Sequence, residues 1–172
     1  MTVEKLQFPK GWENLTFFSK RAGSFSGVPQ RTVQAWTEAA LIIAKTKGTG
    51  DRRRYSGLNC IEIGIVKSVT RERLDFRIAR EIMAFLRKYR PSNLQRLLEE
   101  EQGDLVIRLD GKGSFTPHAY GYSKDHENNR SLMQYWRLIT MPNDCEKTLI
   151  INVTRVARHV LTNMDTFSRI KP

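Results

Sequence analysis

The sequence predicts a mainly α-helical N-terminal domain of four helices and a β-hairpin, followed by a small α+β C-terminal unit. Two observations support this. Through most of residues 17–86, apolar residues recur at spacings of three and four, which is the period of amphipathic helices. After Gly103, the apolar residues instead form short runs bounded by turn residues, which is typical of strands. We therefore place the two domains at 15–90 and 91–172.

Two short helices joined by a tight turn are predicted first. The first spans 17–25, with Ser19 as its N-cap. The next four residues, Ser-Gly-Val-Pro, have turn composition, and Pro29 suits the start of a helix because the N–H that it lacks would be unsatisfied there anyway. The second helix spans 30–38. Its inner face is expected to hold Val33, Trp36 and Ala40, and its outer face Gln30, Arg31 and Gln34.

A basic hairpin is predicted after the second helix. Residues 41–43 are apolar and β-branched, which favours a strand, and the next seven residues are rich in Gly, Thr and Lys, which suit a hairpin tip. Arg52-Arg53-Arg54-Tyr55 would form the returning strand. Successive side chains of a strand point to opposite faces, so at least one of these arginines should point away from the others.

Two longer helices complete the N-terminal domain. The first is predicted over 57–70 from its apolar spacing. Asp75 can cap the second, whose buried stripe is expected to include Phe76, and Pro91 ends or kinks it.

The C-terminal unit is predicted to mix helices and strands. A short helix over 92–102 stops at Gly103, and a final helix over 153–164 begins after Asn152 as its cap. The intervening elements are a strand over 105–109, a hairpin turn over 110–113, a loop over 123–130, a strand over 133–139 and an apolar run over 149–151.

Positive charge is concentrated in one half of the chain. The net charge is +11, from 29 Lys and Arg against 18 Asp and Glu. Residues 1–90 hold 18 basic and 8 acidic residues, whereas residues 91–172 hold 11 and 10. A module of +10 beside one of +1 is typical of a polyanion-binding domain joined to a neutral partner domain.

The sequence offers little for catalysis or metal binding. Its two cysteines, Cys60 and Cys145, lie far apart without a Cys/His cluster, so we expect small buried apolar residues, no metal and no cofactor. His118 and His126 lack a partnered nucleophile, and we expect no enzyme. The aromatic set Tyr120, Tyr122, Tyr135 and Trp136 favours core packing over a ligand pocket. No membrane span or secretory signal is visible, which predicts a cytoplasmic, nucleoid-associated protein.

Three pieces of the N-terminal half, taken in order, resemble the MerR family of transcription regulators. The first is Phe17-Phe18 with Ser26-Gly27-Val28-Pro29, and the second is Arg31-Thr32-Val33-Gln34-Ala35-Trp36 followed by Leu41-Ile42. The third is Gly50-Asp51-Arg52-Arg53-Arg54-Tyr55-Ser56, whose Arg-Tyr-Ser end is the most characteristic part. The resemblance covers residues 17–86. It implies a winged helix-turn-helix, in which the second helix enters the major groove of DNA and the hairpin, or wing, contacts phosphates.

The resemblance also implies partners and contacts. It predicts a homodimer on promoter or operator double-stranded DNA, with RNA polymerase as a further partner, and it favours Arg53 and Tyr55 on the phosphate backbone. Arg can bridge guanine and Gln can pair with adenine, whereas lysines bind phosphate without sequence preference. Trp36 is also expected in the core. The predicted DNA-binding residues are Gln30, Arg31, Thr32, Gln34, Trp36, Lys45, Lys47, Arg52, Arg53, Arg54 and Tyr55.

The chain departs from the family in several places. Ala22-Gly23 stands where a leucine and an alanine are usual, while Ala40 and Arg73 stand where glycines are usual. No long heptad helix follows the wing, because Pro91 interrupts the only candidate, so the dimer would form in another way.

Two other functions fit the same charge pattern. One is an architectural DNA-binding protein such as a phage-type excisionase, although such proteins are often little more than the DNA-binding unit. The other is a protein-interaction adaptor whose basic half anchors it to nucleic acid. A footprint separates the three: one palindromic promoter site indicates a regulator, tandem direct repeats an excisionase, and no defined footprint an adaptor.

Overall fold

A computed structural model describes residues 6–8, 11–46, 52–89, 91–110, 112, 114–122 and 147–170 of the chain. Within these residues the protein is a mixture of helices and two small antiparallel sheets, so the predicted combination of α and β structure is confirmed. None of the helices in this part of the chain is long and apolar enough to cross a membrane.

The chain divides into two compact units, which we describe separately. The helical unit comprises Gln7–Met83 and Val156–Pro172, and the sheet unit consists mainly of Ala84–Arg155. The C-terminal residues therefore group with the N-terminal ones, although more than 70 residues of chain separate them.

The helical unit begins with short elements. A 3₁₀ turn at Trp12–Asn14 is followed by strand β1 (Thr16–Phe17), helix α1 (Ser19–Ser24) and helix α2 (Gln30–Glu38). Strand β2 (Tyr55–Ser56) pairs antiparallel with β1. The Trp12 ring stacks on Phe8, at 4.5 Å between centroids. It also lies so close to Gly57 that a Cβ there would meet Trp12 at 2.5 Å.

Three longer helices follow this part of the chain. They are α3 (Gly57–Arg71), α4 (Phe76–Arg87) and, near the C-terminus, α6 (Val153–Ile170). The bounds of α3 agree with its apolar period. Ser56 and Asn59 form a capping box at its start, in which the Ser56 Oγ accepts from the Asn59 N–H and the Asn59 Oδ1 accepts from the Ser56 N–H. Asp75 caps α4 as predicted, because its Oδ1 accepts from the Arg77 N–H at 2.8 Å.

The sheet unit contains helix α5 (Asn93–Glu99) and strands β3 (Gln102–Leu109), β4 (Phe115–Tyr122) and β5 (Lys147–Asn152). The strands form one antiparallel sheet in the order β4-β3-β5. Asp110 shapes the predicted hairpin turn, since its Oδ1 accepts from the backbone N–H groups of Lys112 and Ser114. Asn152 caps α6 as predicted, accepting from the Arg155 N–H at 2.6 Å. The predicted loop at 123–130 and strand at 133–139 lie outside the described residues.

The predicted strand at 41–43 is wrong, and the end of α2 explains why. The N–H of Leu41 donates to the Trp36 carbonyl at 2.8 Å, and the N–H of Ala40 donates to the Thr37 carbonyl at 3.1 Å. These two bonds form the Schellman motif, which requires a left-handed residue after the helix, here Ala40 with φ 57°. Leu41 and Ile42 are still buried, but as part of the helix terminus.

Four smaller predictions also differ from the structure. Ser19 is the first helical residue and its side chain makes no capping bond, since the cap is Phe18. Ala40 is exposed after the end of α2, and Phe76 is 53% exposed, so neither belongs to an apolar stripe. The helix over 92–102 is shorter, because Gln102 and Gly103 already belong to β3.

Candidate nucleic-acid interface

The first part of the candidate interface is the close pair α1 and α2. Gly23 lies on α1 where a Cβ would overlap the Val28 carbonyl oxygen and lie 2.9 Å from Val33 Cγ2. Its carbonyl accepts hydrogen bonds from the N–H groups of Ser26 and Val28, at 3.1 and 2.8 Å. The turn itself contains Gly27 with φ 63°, a conformation that suits glycine. Gly23, which departs from the family pattern, therefore allows the close approach of the two helices.

The second helix presents opposite faces to the core and to the surface. Val33 is fully buried and Trp36 is 6% exposed, so the inner face is the predicted one for both. Arg31 is exposed, whereas Gln30 and Gln34 are half-buried, as is Thr32. Of the four predicted contacts on this face, the Arg31 side chain is thus the most accessible.

The basic hairpin is described only at its base. Thr46 and Arg54 form an antiparallel bridge, and the Lys45 N–H donates to the Arg54 carbonyl at 2.8 Å. Lys45 is exposed. The predicted contact Lys47 and the glycines of the tip lie outside the described residues. Among the described residues of the predicted hairpin, the pairing is this one bridge, while Tyr55 and Ser56 pair with β1.

The three consecutive arginines have three different environments. Arg52 is exposed. The Arg53 side chain is only 17% exposed, and its guanidinium Nη1 lies 3.7 Å from the Glu38 carboxylate at the end of α2. The Arg54 guanidinium lies over the Phe18 ring, 3.4 Å from its centroid, which is a favourable cation–π geometry. Phe18 is 46% exposed, so this stacked pair lies at the surface.

Tyr55 and Thr37 connect the hairpin base to α2. Tyr55 is fully buried, and its hydroxyl lies 2.9 Å from the Thr37 Oγ1 within hydrogen-bond distance. Contact of Tyr55 with a phosphate, as the resemblance implies, would require this side chain to leave the core. In the structure Tyr55 and Trp36 are core residues that lie under the candidate interface.

Some residues that hold the interface were missed in the sequence. The Asn59 Nδ2 donates to the Ile43 carbonyl at 3.0 Å and to the Glu62 carboxylate at 2.9 Å, which attaches the segment after α2 to α3. The Arg80 Nε donates to the Ala39 carbonyl at 3.1 Å, beside the C-terminal end of α2. The Ile43 and Ala39 carbonyls lie 16 and 41 residues from their donors, so no local pattern could have indicated these two bonds.

The titratable groups away from the candidate interface include a buried cysteine and a histidine of the sheet unit. Burial raises the pKa of the Cys60 thiol well above its ordinary value, and the Glu62 carboxylate adds to the effect, so this cysteine stays protonated. On β4, desolvation and the charge of Arg108 lower the pKa of His118, which lies 6.2 Å from Tyr120 between ring centroids. In the part of the chain that the structure describes, His, Cys, Asp and Glu residues form no group that could hold a metal ion. Cys145, His126, Tyr135 and Trp136 lie outside it, as does the Tyr122 side chain.

Comparison with known proteins adds no assignment: no protein-family model matches the chain, and no curated protein matches it.

Proposed function

We propose that the chain is a sequence-specific double-stranded DNA-binding transcriptional regulator, and that its helical unit is a winged helix-turn-helix. The observation that carries the proposal is the placement of the closely packed pair α1 and α2 directly before a basic hairpin base, within one unit. A recognition helix must be short, firmly packed on one side and polar on the other, and α2 has these properties. The concentration of +10 in residues 1–90 supplies the attraction for phosphate.

Two backbone conformations support the likeness to the MerR family in particular. Ala40 and Arg73 occupy the positions where the family usually has glycine, and both have φ 57°. Glycine is the residue that adopts positive φ without strain. The chain therefore keeps the backbone geometry that a glycine would favour, although the residue type has changed at both places.

Seven of the predicted contacts then receive a role. Arg31 and the two glutamines of α2 read base edges in the major groove, where arginine bridges guanine and glutamine pairs with adenine. Arg52 and Lys45 neutralise phosphates beside the groove. Arg53 lies 3.7 Å from the Glu38 carboxylate, which places the hairpin base beside the end of the recognition helix. Arg54 stacked on Phe18 presents a charged edge beside α1.

The proposed phosphate contact is tested with Arg52→Ala. We expect weaker binding to all duplexes and a salt slope lower by about one unit, because one fewer counterion is released. Arg96→Ala is the matched control, since it removes the same charge from an exposed residue of the sheet unit. Fluorescence anisotropy at several salt concentrations gives both slopes. Equal slopes for Arg52→Ala and the wild-type protein would exclude this contact.

The proposed base contact is tested with Arg31→Ala. A target sequence is first selected from a random duplex library with the full chain. We expect the variant to lose discrimination at one base pair, by about 1–3 kcal/mol. Its salt slope should change by no more than the loss of one positive charge accounts for. If discrimination among single-base variants of the target stays the same, α2 does not lie in the groove.

A footprint on genomic fragments, together with sedimentation, separates the proposal from its alternatives. A homodimer that protects one palindromic site beside promoter elements supports the regulator. Protection of tandem direct repeats would indicate an excisionase-like architectural protein, and a chain that protects no defined site would be an adaptor. The proposed partners are thus a second copy of the chain, operator DNA and RNA polymerase.

A further inference from the structure

The turn between α1 and α2 is held by two side chains that lie far away in the sequence. Asn163 on α6 donates from Nδ2 to the carbonyl oxygen of Phe25 at 2.8 Å, across 138 residues of chain. Lys67 on α3 donates from Nζ to the carbonyl oxygen of Ser26 at 2.7 Å. Carbonyls at the C-terminal end of a helix lack partners within that helix, so donors from elsewhere stabilise them. Two successive carbonyls at the end of α1 are thereby fixed.

The helix α6 comes close to α3 at Gly64, beside this turn. A Cβ at Gly64 would lie 2.7 Å from Val156 Cγ1, so glycine lets the two helices come close. The same hypothetical atom would lie 3.2 Å from the Ser26 Oγ, which places the contact beside the turn. In this part of α6, Ala157, Val160, Leu161 and Met164 are buried.

The turn is the short connection between α1 and α2. Helix α1 has only six residues and contains Gly23, so helix propensity alone does little to stabilise it. Its carbonyl at Gly23 bonds the Val28 N–H, and α2 begins two residues later at Gln30. The Phe25 carbonyl therefore lies on the few residues that lead into the first turn of α2, where Arg31 lies.

We propose that Asn163 is a positioning residue for DNA binding, through which α6 acts as an additional helix of the DNA-binding unit. The inference rests on the proposed function and extends it to a segment near the C-terminus. Asn163 does not touch DNA. It holds the Phe25 carbonyl and thereby the angle at which the outer face of α2 is presented to the groove.

The test uses Asn163→Asp in the full chain. This side chain has the same shape, but it places an acceptor where the donor was, opposite the Phe25 carbonyl. We expect the ratio of affinities for the selected target and an unrelated duplex to fall about fivefold, which corresponds to a loss of about 1 kcal/mol in discrimination. Both duplexes are measured at one salt concentration and well below the melting temperature, so the lost specificity is not a loss of folded protein.

Two further variants make the result specific. Thr162→Val is the matched control. The Thr162 side chain is next to Asn163, but its hydroxyl donates within α6, to the Arg158 carbonyl. We therefore expect the affinity ratio to be unchanged in this variant. Lys67→Met removes the donor to Ser26 but keeps an apolar stem, and we expect a similar fall in the ratio. If Asn163→Asp lowers the melting temperature but leaves the ratio unchanged, the inference is overturned, since Asn163 would then contribute to stability alone.

Hydrogen exchange without DNA separates this inference from the proposed function. We expect the Val28 amide, which bonds the Gly23 carbonyl, to exchange faster in Asn163→Asp than in the wild-type protein, while amides in the middle of α3 are unaffected. If the wild-type protein does not discriminate between duplexes, the proposed function fails, and faster exchange at Val28 still supports Asn163 as the residue that holds the turn. Unchanged exchange at Val28 contradicts that role whatever the DNA-binding result.

Discussion

Replacing Ala40 with glycine should stabilise the protein, although glycine destabilises most positions in or near helices. Ala40 has φ 57° directly after α2. A left-handed conformation costs a residue with a Cβ about 1–2 kcal/mol, and glycine avoids this cost. Glycine also gives the unfolded chain more freedom, which costs about 0.5–1 kcal/mol. The difference predicts a net gain of roughly 0.5–1 kcal/mol in the free energy of unfolding.

The neighbouring Ala39 supplies the control, because it undergoes the same chemical change in a right-handed conformation with φ −75°. Here only the cost in the unfolded chain remains, so Ala39→Gly should destabilise by about 0.5–1 kcal/mol. Urea denaturation followed by circular dichroism measures the stability of both variants. Their urea midpoints can be compared when the denaturant slopes of the two variants are equal. The two variants must shift the midpoint in opposite directions. If both lower it by the same amount, Ala40 is not left-handed in solution and the assigned helix end is wrong.

Four further predictions follow from particular contacts and from burial. Gly23→Ala should lower the free energy of unfolding by about 1–3 kcal/mol, because its Cβ would overlap the Val28 carbonyl oxygen, and urea denaturation would show no change if the helices were loosely packed. Thr37→Val should cost about 1 kcal/mol in the same assay by leaving the buried Tyr55 hydroxyl without its partner, whereas an equal loss in Thr37→Ser, which keeps the hydroxyl, would refute that reasoning. Cys60 should resist iodoacetamide at pH 8 until the protein is unfolded, since burial raises the pKa of its thiol. Mass spectrometry locates the label, and rapid labelling of Cys60 in the native chain would show that the thiol is exposed. His118 should titrate by NMR with a pKa below its ordinary value of 6.5, because burial and the charge of Arg108 disfavour the protonated ring. The folded chain then binds this proton less tightly than the unfolded chain, so the group lowers the stability of the fold as the pH falls through 6.5. Arg108→Gln should raise the pKa of His118.

The sequence predicted those elements whose signals are local. The bounds of α2 and the position of α3 follow from apolar spacing, and Asp75 and Asn152 act as caps because the bond to a nearby N–H needs only neighbouring residues. The hairpin at Asp110 was predictable for the same reason.

The sequence failed where a short pattern fits two alternatives, or where the partner lies far along the chain. The run of three apolar residues at 41–43 suits a strand or a buried helix terminus equally well. The bonds from Leu41 and Ile42 to the Trp36 carbonyl decide for the terminus. The pairing of β2 with β1 joins residues nearly 40 positions apart, and neither strand is long enough to show a period of two.

For the candidate interface, the sequence by itself determined which residues carry charge, which face of α2 is polar and where the basic run lies. Only the tertiary structure decided that Tyr55 is buried, that Arg53 lies beside Glu38 and that α6 holds the turn before α2. The physical reason is range. Helix periods and caps depend on residues within one or two turns, whereas a buried hydroxyl or a bonded carbonyl depends on a partner that only the folded chain brings near.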